Sequence, residues 1–130
     1  DNKTNNLLQR FYECPEKHAY EFQNYVFLTR MDLNRSTFEG DKPLRLLERS
    51  VFSDRLVFVR AIHEAKWLTD EQLELYDSWF NPMLQEVPGL IPDGFIYLRA
   101  DPETCMRRLK NRGRSEEKTV TDKYLQGRKK

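Results

Sequence analysis

The sequence predicts an α/β fold, a parallel sheet with flanking helices. Two apolar runs, Leu44–Leu47 and Phe95–Leu98, stand about fifty residues apart, as strands joined by a helical crossover do. Phe95-Ile96-Tyr97-Leu98 is apolar at consecutive positions, as a strand covered on both faces must be. The segments before, between and after these runs carry helical spacing and helix-start signals.

Residues 4–33 read as helical, with a break at Cys14-Pro15, because proline disfavours a helical residue before it. On the longer piece, Phe22, Val26 and Leu33 fall on one face, with Thr29 between them. Gly40 to Pro43 reads as a turn, and the strand Leu44–Leu47 ends at Glu48-Arg49-Ser50. A helix is expected from about Ser53 to Ala65, with Phe52, Leu56, Val59 and His63 on its stripe. Thr69-Asp70-Glu71-Gln72 is a capping box: the Thr69 hydroxyl can accept from the Gln72 N–H while the Gln72 side chain reaches back. Leu68 and Leu73 bracket it, and the helix is expected to run to about Gln85. Pro88-Gly89 and Pro92-Asp93-Gly94 are turns. After the second strand, Asp101-Pro102 places an N-cap and a first-turn proline at the start of a helix to about Arg112. A last helical piece is expected over about 121–126. Two parallel strands are too few to stand alone in water. The sheet is therefore expected to need strands outside these residues, and the chain by itself to aggregate or remain partly disordered.

The 130 residues suit a single domain, 1–130. With 22 Lys and Arg against 21 Asp and Glu, the chain lacks the strong positive charge of a dedicated nucleic-acid binder. Its 12% aromatic content argues against disorder. No apolar run approaches membrane-spanning length, and no secretion signal stands at the start. Cys14 and Cys105 lie far apart in sequence, so neither a disulfide framework nor a zinc site is expected, and a reduced compartment is. The first residue is Asp rather than Met, as in a chain cut from something longer.

Ligands of open α/β sheets sit at the carboxyl ends of strands. Glu48 and Arg49 stand at such an end, where a guanidinium can clamp phosphoryl oxygens and a carboxylate can hold magnesium or its water shell. The plainer alternative is a surface ion pair. Gln23 and Arg30 are two turns apart, roughly 10 Å, on nearly one helix face. A Gln amide offers the donor and acceptor that grip a nucleobase edge, although two polar residues on a solvated face are the commoner reading of such a pair. Asp54 suits a helix start and by itself needs no function. Arg107, Arg108, Lys110, Arg112 and Arg114 form a dense cluster that could fold over a triphosphate, cover a solvated face or contact nucleic acid. His18 and His63 show no metal or triad spacing. None of the five glycines is followed by Lys and then Ser or Thr, so these residues contain no G-x-x-x-x-G-K-[ST] phosphate loop.

Four blocks together resemble the deoxynucleoside kinases, the group containing deoxycytidine, deoxyguanosine and mitochondrial thymidine kinases. They are Phe11-Tyr12-x-x-Pro15-Glu16, Phe22-Gln23-Asn24-Tyr25 with Arg30, Glu48-Arg49-Ser50-Val51-Phe52-Ser53-Asp54-Arg55, and Arg112-Gly113-Arg114-Ser115-Glu116-Glu117. Gly94-Phe95-Ile96-Tyr97-Leu98 fits the family's strand before its lid helix, and the wording of several segments is most similar to plant-type members.

The resemblance implies a P-loop NTPase fold of the nucleoside kinase kind, incomplete in this chain. It implies transfer of the ATP γ-phosphoryl group to a deoxynucleoside 5′-hydroxyl, with Mg2+. Gln23 would hydrogen-bond the base, Phe58 would stack on it, and Arg30 and Asp54 would sit together over it. That pair is of the deoxycytidine and deoxypurine type rather than the thymidine-preferring type. Tyr12 and Glu117 would hold the sugar 3′-hydroxyl. Arg49 would contact the 5′-oxygen and phosphate, Glu48 would help organise magnesium, and Arg108, Arg112 and Arg114 would form the lid. The resemblance also implies a homodimer when the protein is complete, in the cytoplasm or mitochondrion. The family's phosphate loop and general-base carboxylate lie upstream of everything seen here, so these residues alone are expected to have little or no kinase activity. The alternative is a non-catalytic deoxynucleoside-binding or dimer-forming fragment of the same fold.

Overall fold

The computed structural model describes residues 6–38 and 43–114. The chain opens with α1, Leu7–Glu13, whose first turn is capped by the Asn6 side chain accepting from the Gln9 N–H at 3.1 Å. It stops at Cys14, which takes a non-helical conformation because Pro15 follows. Pro15 then starts the long α2, Pro15–Phe38, at a position where its missing N–H costs nothing.

The buried face of α2 consists of Ala19, Gln23, Phe27 and Asn34, with His18 beside it. This corrects the expected Phe22, Val26 and Leu33 face: Leu33 is 43% exposed, and Phe22 and Val26 are half-buried. The stripe is rotated because two of its members are polar, so apolar periodicity alone passes over them.

A continuous helical run follows, built from α3, Val51–Ser53, a π-helical segment, Asp54–Val59, and α4, Arg60–Glu64. Ser50 caps it through its hydroxyl, which accepts from the Ser53 N–H at 3.3 Å. The buried residues are Val51, Asp54, Val59 and Ile62, whereas the expected Leu56 is 58% exposed. The π segment explains the difference. Its wider turn puts Asp54 and Val59, five apart, on one side, and a 3.6-residue period does not count that way. The run ends in a Schellman motif. Lys66 takes a left-handed φ of 63°, its N–H donates to the His63 carbonyl, and the Trp67 N–H donates to the Ile62 carbonyl.

Helix α5, Asp70–Glu86, begins at the expected capping box, with Thr69 and Gln72 bonded reciprocally at 3.2 and 3.0 Å. It continues through Pro82 and buries Tyr76 and Phe80. The loop after it is tied to the end of α2: Asn34 donates to the Pro88 carbonyl at 3.1 Å, and Arg45 donates to the Asn34 and Gly89 carbonyls. Gly89 has a φ of 65°, and a Cβ there would lie 2.3 Å from the Phe38 ring, so glycine is required twice over. Helix α6, Pro102–Arg112, starts at Pro102 as expected, but the Asp101 side chain makes no capping bond; Gly113 closes it at a left-handed φ of 64°.

The core joins Phe11, Ala19, Phe27, Val51, Val59, Ile62, Leu68, Tyr76, Phe80 and Leu90. Among the described residues there is no strand. The expected Leu44–Leu47 and Phe95–Leu98 strands are irregular segments, and Leu44, Leu46, Phe95, Ile96, Tyr97 and Leu98 are 69–86% exposed. A strand is defined by its partner, and neither segment has one among these residues; apolar sequence without a ladder leaves both faces open. The last expected helical piece lies outside the described residues. Cys14 and Cys105 are free. No described helix is long and apolar enough to cross a membrane.

Candidate acceptor site

Helix α2 presents Arg30 toward the start of the π segment and carries Gln23 two turns earlier. The Arg30 Nε donates to Asp54 Oδ2 at 3.0 Å, and its Nη1 donates to the Glu48 carbonyl at 2.7 Å. One side chain thus fastens α2, the 48–50 turn and the π segment to one another. Gln23 is 3% exposed, and its Oε1 has no hydrogen-bond partner among the described residues. A buried amide oxygen left unpaired carries its desolvation cost, which marks the position as one where something else supplies a donor.

Asp54 is buried beside Arg30. Burial pushes its carboxyl up, and the charge and hydrogen bond of Arg30, with the Arg49 charge beyond, pull it down less strongly. The folded protein therefore holds this proton more tightly than the unfolded chain does. Asp54's contribution to stability is fully present below the unfolded carboxylate range, near pH ~4, and is lost as pH rises through the raised folded value. Asp54→Asn, which mimics the protonated form, is expected to gain stability relative to the unsubstituted protein between about pH 3 and about pH 7. Urea midpoints at the two pH values check this; a difference that does not change with pH contradicts it.

Arg49 is exposed and has a left-handed φ of 63°, a conformation costing a non-glycine residue about 1–2 kcal/mol. Its guanidinium lies over the Phe58 ring, 4.7 Å from the centroid. Phe58 was expected to offer a stacking face, and in this structure Arg49 lies over it. Glu48 is exposed next to Arg49. Among the described residues no three His, Cys, Asp or Glu side chains gather to hold a metal. A single carboxylate suits Mg2+, which keeps several waters and takes one or two protein carboxylates beside substrate phosphates.

The structure thus brings together Arg30, Glu48, Arg49, Asp54 and Phe58, while Gln23 lies buried on α2 two turns before Arg30. Tyr12 stands on α1 with its ring 5.4 Å from Phe11, which stacks on Phe22 at 4.8 Å, next to Gln23. Helix α6 is not packed into this group: none of its residues is buried, and Arg108, Arg112 and Arg114 are exposed. Glu117 lies outside the described residues. Sequence reasoning treated Arg55 as part of an ordinary helix start. It is a buttress, its guanidinium gripping the Asp77 carboxylate by two bonds of 2.5 and 2.7 Å. No local pattern signals a pair 22 residues apart.

A buried amide, an Arg–Asp pair and an aromatic ring form an edge-and-face arrangement suited to a planar heterocycle, with an exposed cation alongside suited to an anion. The chain is 37% identical over 127 residues to human deoxycytidine kinase, covering 93% of this chain and 49% of that protein. It is 37% identical over 121 residues to a probable deoxycytidine kinase of Fowlpox virus (strain NVSL), with 93% and 51% covered. It is 35% identical over 127 residues to the mitochondrial deoxyguanosine kinase of Xenopus laevis, with 93% and 48% covered. The chain spans about half the length of the curated relatives it matches. The deoxynucleoside kinase profile matches residues 1–129, and the chain belongs to the deoxynucleoside kinase family.

Proposed function

We propose that this chain is the acceptor-binding portion of an enzyme that transfers the γ-phosphoryl group of ATP to the 5′-hydroxyl of a deoxynucleoside. The observation that carries the reading is the half-buried Arg30 bonded to the buried Asp54, on the helix that also carries the buried, unpartnered Gln23 oxygen two turns earlier, with the Arg49 charge near Asp54. Gln23 hydrogen-bonds the base edge, Arg30 and Asp54 sit over it, and Phe58 gives it a stacking face once Arg49 turns toward phosphate. Tyr12 and Glu117 hold the sugar 3′-hydroxyl. The 5′-oxygen attacks the γ-phosphorus as its proton passes to a general-base carboxylate outside these residues, the bond to the β–γ bridging oxygen breaks, and ADP leaves. Such a transfer asks mainly for alignment and charge neutralisation. Arg49 serves the 5′-oxygen and the moving phosphoryl group. Glu48 would hold Mg2+ through its water shell, and the ion would supply neutralisation of phosphate charge. Arg108, Arg112 and Arg114 close over the donor phosphates, which requires α6 to approach the site from its exposed position.

The same reading makes deoxycytidine or a deoxypurine a better acceptor than thymidine, and places Leu44–Leu47 and Phe95–Leu98 in the parallel sheet of a single P-loop NTPase domain. The complete protein is a homodimer of the cytoplasm or mitochondrion, and residues 1–130 alone have little activity. The test is phosphorylation of each of the four deoxynucleosides by the whole polypeptide that carries these residues, with ATP and Mg2+. Deoxycytidine or purine 5′-monophosphate is expected to form faster than thymidine monophosphate. No product with any of the four leaves the non-catalytic binding role instead.

A further inference from the structure

Two ion pairs leave successive residues of the π segment for different helices. Asp54 accepts from Arg30 of α2 at 3.0 Å, and Arg55 donates from Nε and Nη2 to the two Asp77 oxygens of α5 at 2.5 and 2.7 Å. Aromatic rings close the third side. Tyr76 and Phe80 of α5 are buried, 5.8 and 6.2 Å from the Phe27 ring of α2. Tyr76 packs through its ring, its hydroxyl having no hydrogen-bond partner among the described residues. Asp77 thus follows a ring that docks α5 on α2, and α2, α5 and the π segment form a closed frame. Asp54 and Phe58 of the acceptor site both lie on the π segment that Arg55 anchors. A π turn is rare and is found mostly at functional sites. Its width fixes the angle between Asp54 and Phe58, which an α-helical turn would change. The two-pronged contact of Arg55 with Asp77 fixes orientation as well as distance, as a single bond would not. With 19% and 31% of the two side chains exposed, the pair is also partly withdrawn from solvent, unlike an ordinary surface ion pair.

We propose that Arg55 and Asp77 are positioning residues of the acceptor site: by anchoring the π segment to α5 they hold Asp54 in place against Arg30, and they thereby set the preference for deoxycytidine over thymidine. The proposal rests on the acceptor-site reading and adds to it a pair that acts through Asp54 rather than on the nucleoside. A purely structural clamp contributes to stability and leaves the choice of base alone, which separates the two roles.

The test is Asp77→Asn in the whole polypeptide, which keeps the shape but turns one of the two acceptors into a donor facing the guanidinium. Values of kcat and KM are measured for deoxycytidine and thymidine, and thermal unfolding is followed in parallel. The ratio of kcat/KM for deoxycytidine to that for thymidine is expected to fall about fivefold to tenfold, the worth of one hydrogen bond, chiefly through KM for deoxycytidine. An unchanged ratio, whether or not the melting temperature moves, overturns the proposal. Arg55→Gln, alone and combined with Asp77→Asn, tests that the two residues act as a unit. The double variant is expected to lose no more of the ratio than either single one, and losses that multiply overturn the proposal. Asp54→Asn in the same assay separates the two levels. If it shifts the ratio and Asp77→Asn does not, the acceptor site stands and the clamp is structural. If neither shifts it, the acceptor reading fails as well.

Discussion

Arg49→Ala in the whole polypeptide is expected to lower turnover about a hundredfold to a thousandfold, the range seen when one preorganised donor to developing charge is removed. Deoxynucleoside affinity should change far less. Arg49 is exposed, held at a φ of 63°, and makes its described contact with Phe58 through the ring face rather than with Gln23 or Arg30. A residue bearing backbone strain to keep a cation at the mouth of a site is more readily explained by function than by stability. Single-turnover rates with ATP, together with calorimetric titration of deoxycytidine, separate the two effects. Unchanged turnover, or a loss of affinity alone, refutes the assigned role.

Phe27→Ala is expected to be the most damaging single change to the fold among those considered, about 3–5 kcal/mol. Phe27 is 6% exposed and touches both aromatic residues buried by α5: its ring lies 5.8 Å from Tyr76 and 6.2 Å from Phe80. Phe27 also stands between Gln23 and Arg30 along α2, about one turn from each. Truncation therefore leaves a cavity where α2 meets α5 and loosens the two side chains that flank it. Urea unfolding of the whole polypeptide reads the loss as a lower midpoint at unchanged slope. A cost below about 1 kcal/mol shows that α2 and α5 do not meet as described.

Features set by adjacent residues were legible in the chain. The Thr69–Gln72 capping box, the break at Cys14-Pro15 and the Pro102 helix start depend on a few neighbouring groups, and all three are found. Features set by distant residues were not. The buried stripe of α2 includes Gln23 and Asn34, which look solvent-facing until their surroundings are known. The π segment changes the period inside a run whose composition is ordinary for a helix, so Leu56 was placed inward and is exposed. Leu44–Leu47 and Phe95–Leu98 have strand-like sequences, but pairing is a property of two chains of atoms and not of one. For the site, the residue identities came from family resemblance. The spacing of Gln23 and Arg30 alone favoured a solvated face, and the bonds from Arg30 to Asp54 at 3.0 Å and to the Glu48 carbonyl at 2.7 Å are what join the separate blocks. The Arg55–Asp77 clamp and the unpartnered Tyr76 hydroxyl had no sequence signal, because each is defined by what faces it.

The most direct test of the account is a crystal structure of the whole polypeptide with deoxycytidine bound. The account predicts the base edge on Gln23 and the Arg30–Asp54 pair, the ring against Phe58, and the 5′-oxygen directed at Arg49. A nucleoside seated away from Gln23 and Asp54, or with its 5′-oxygen facing away from Arg49, contradicts it.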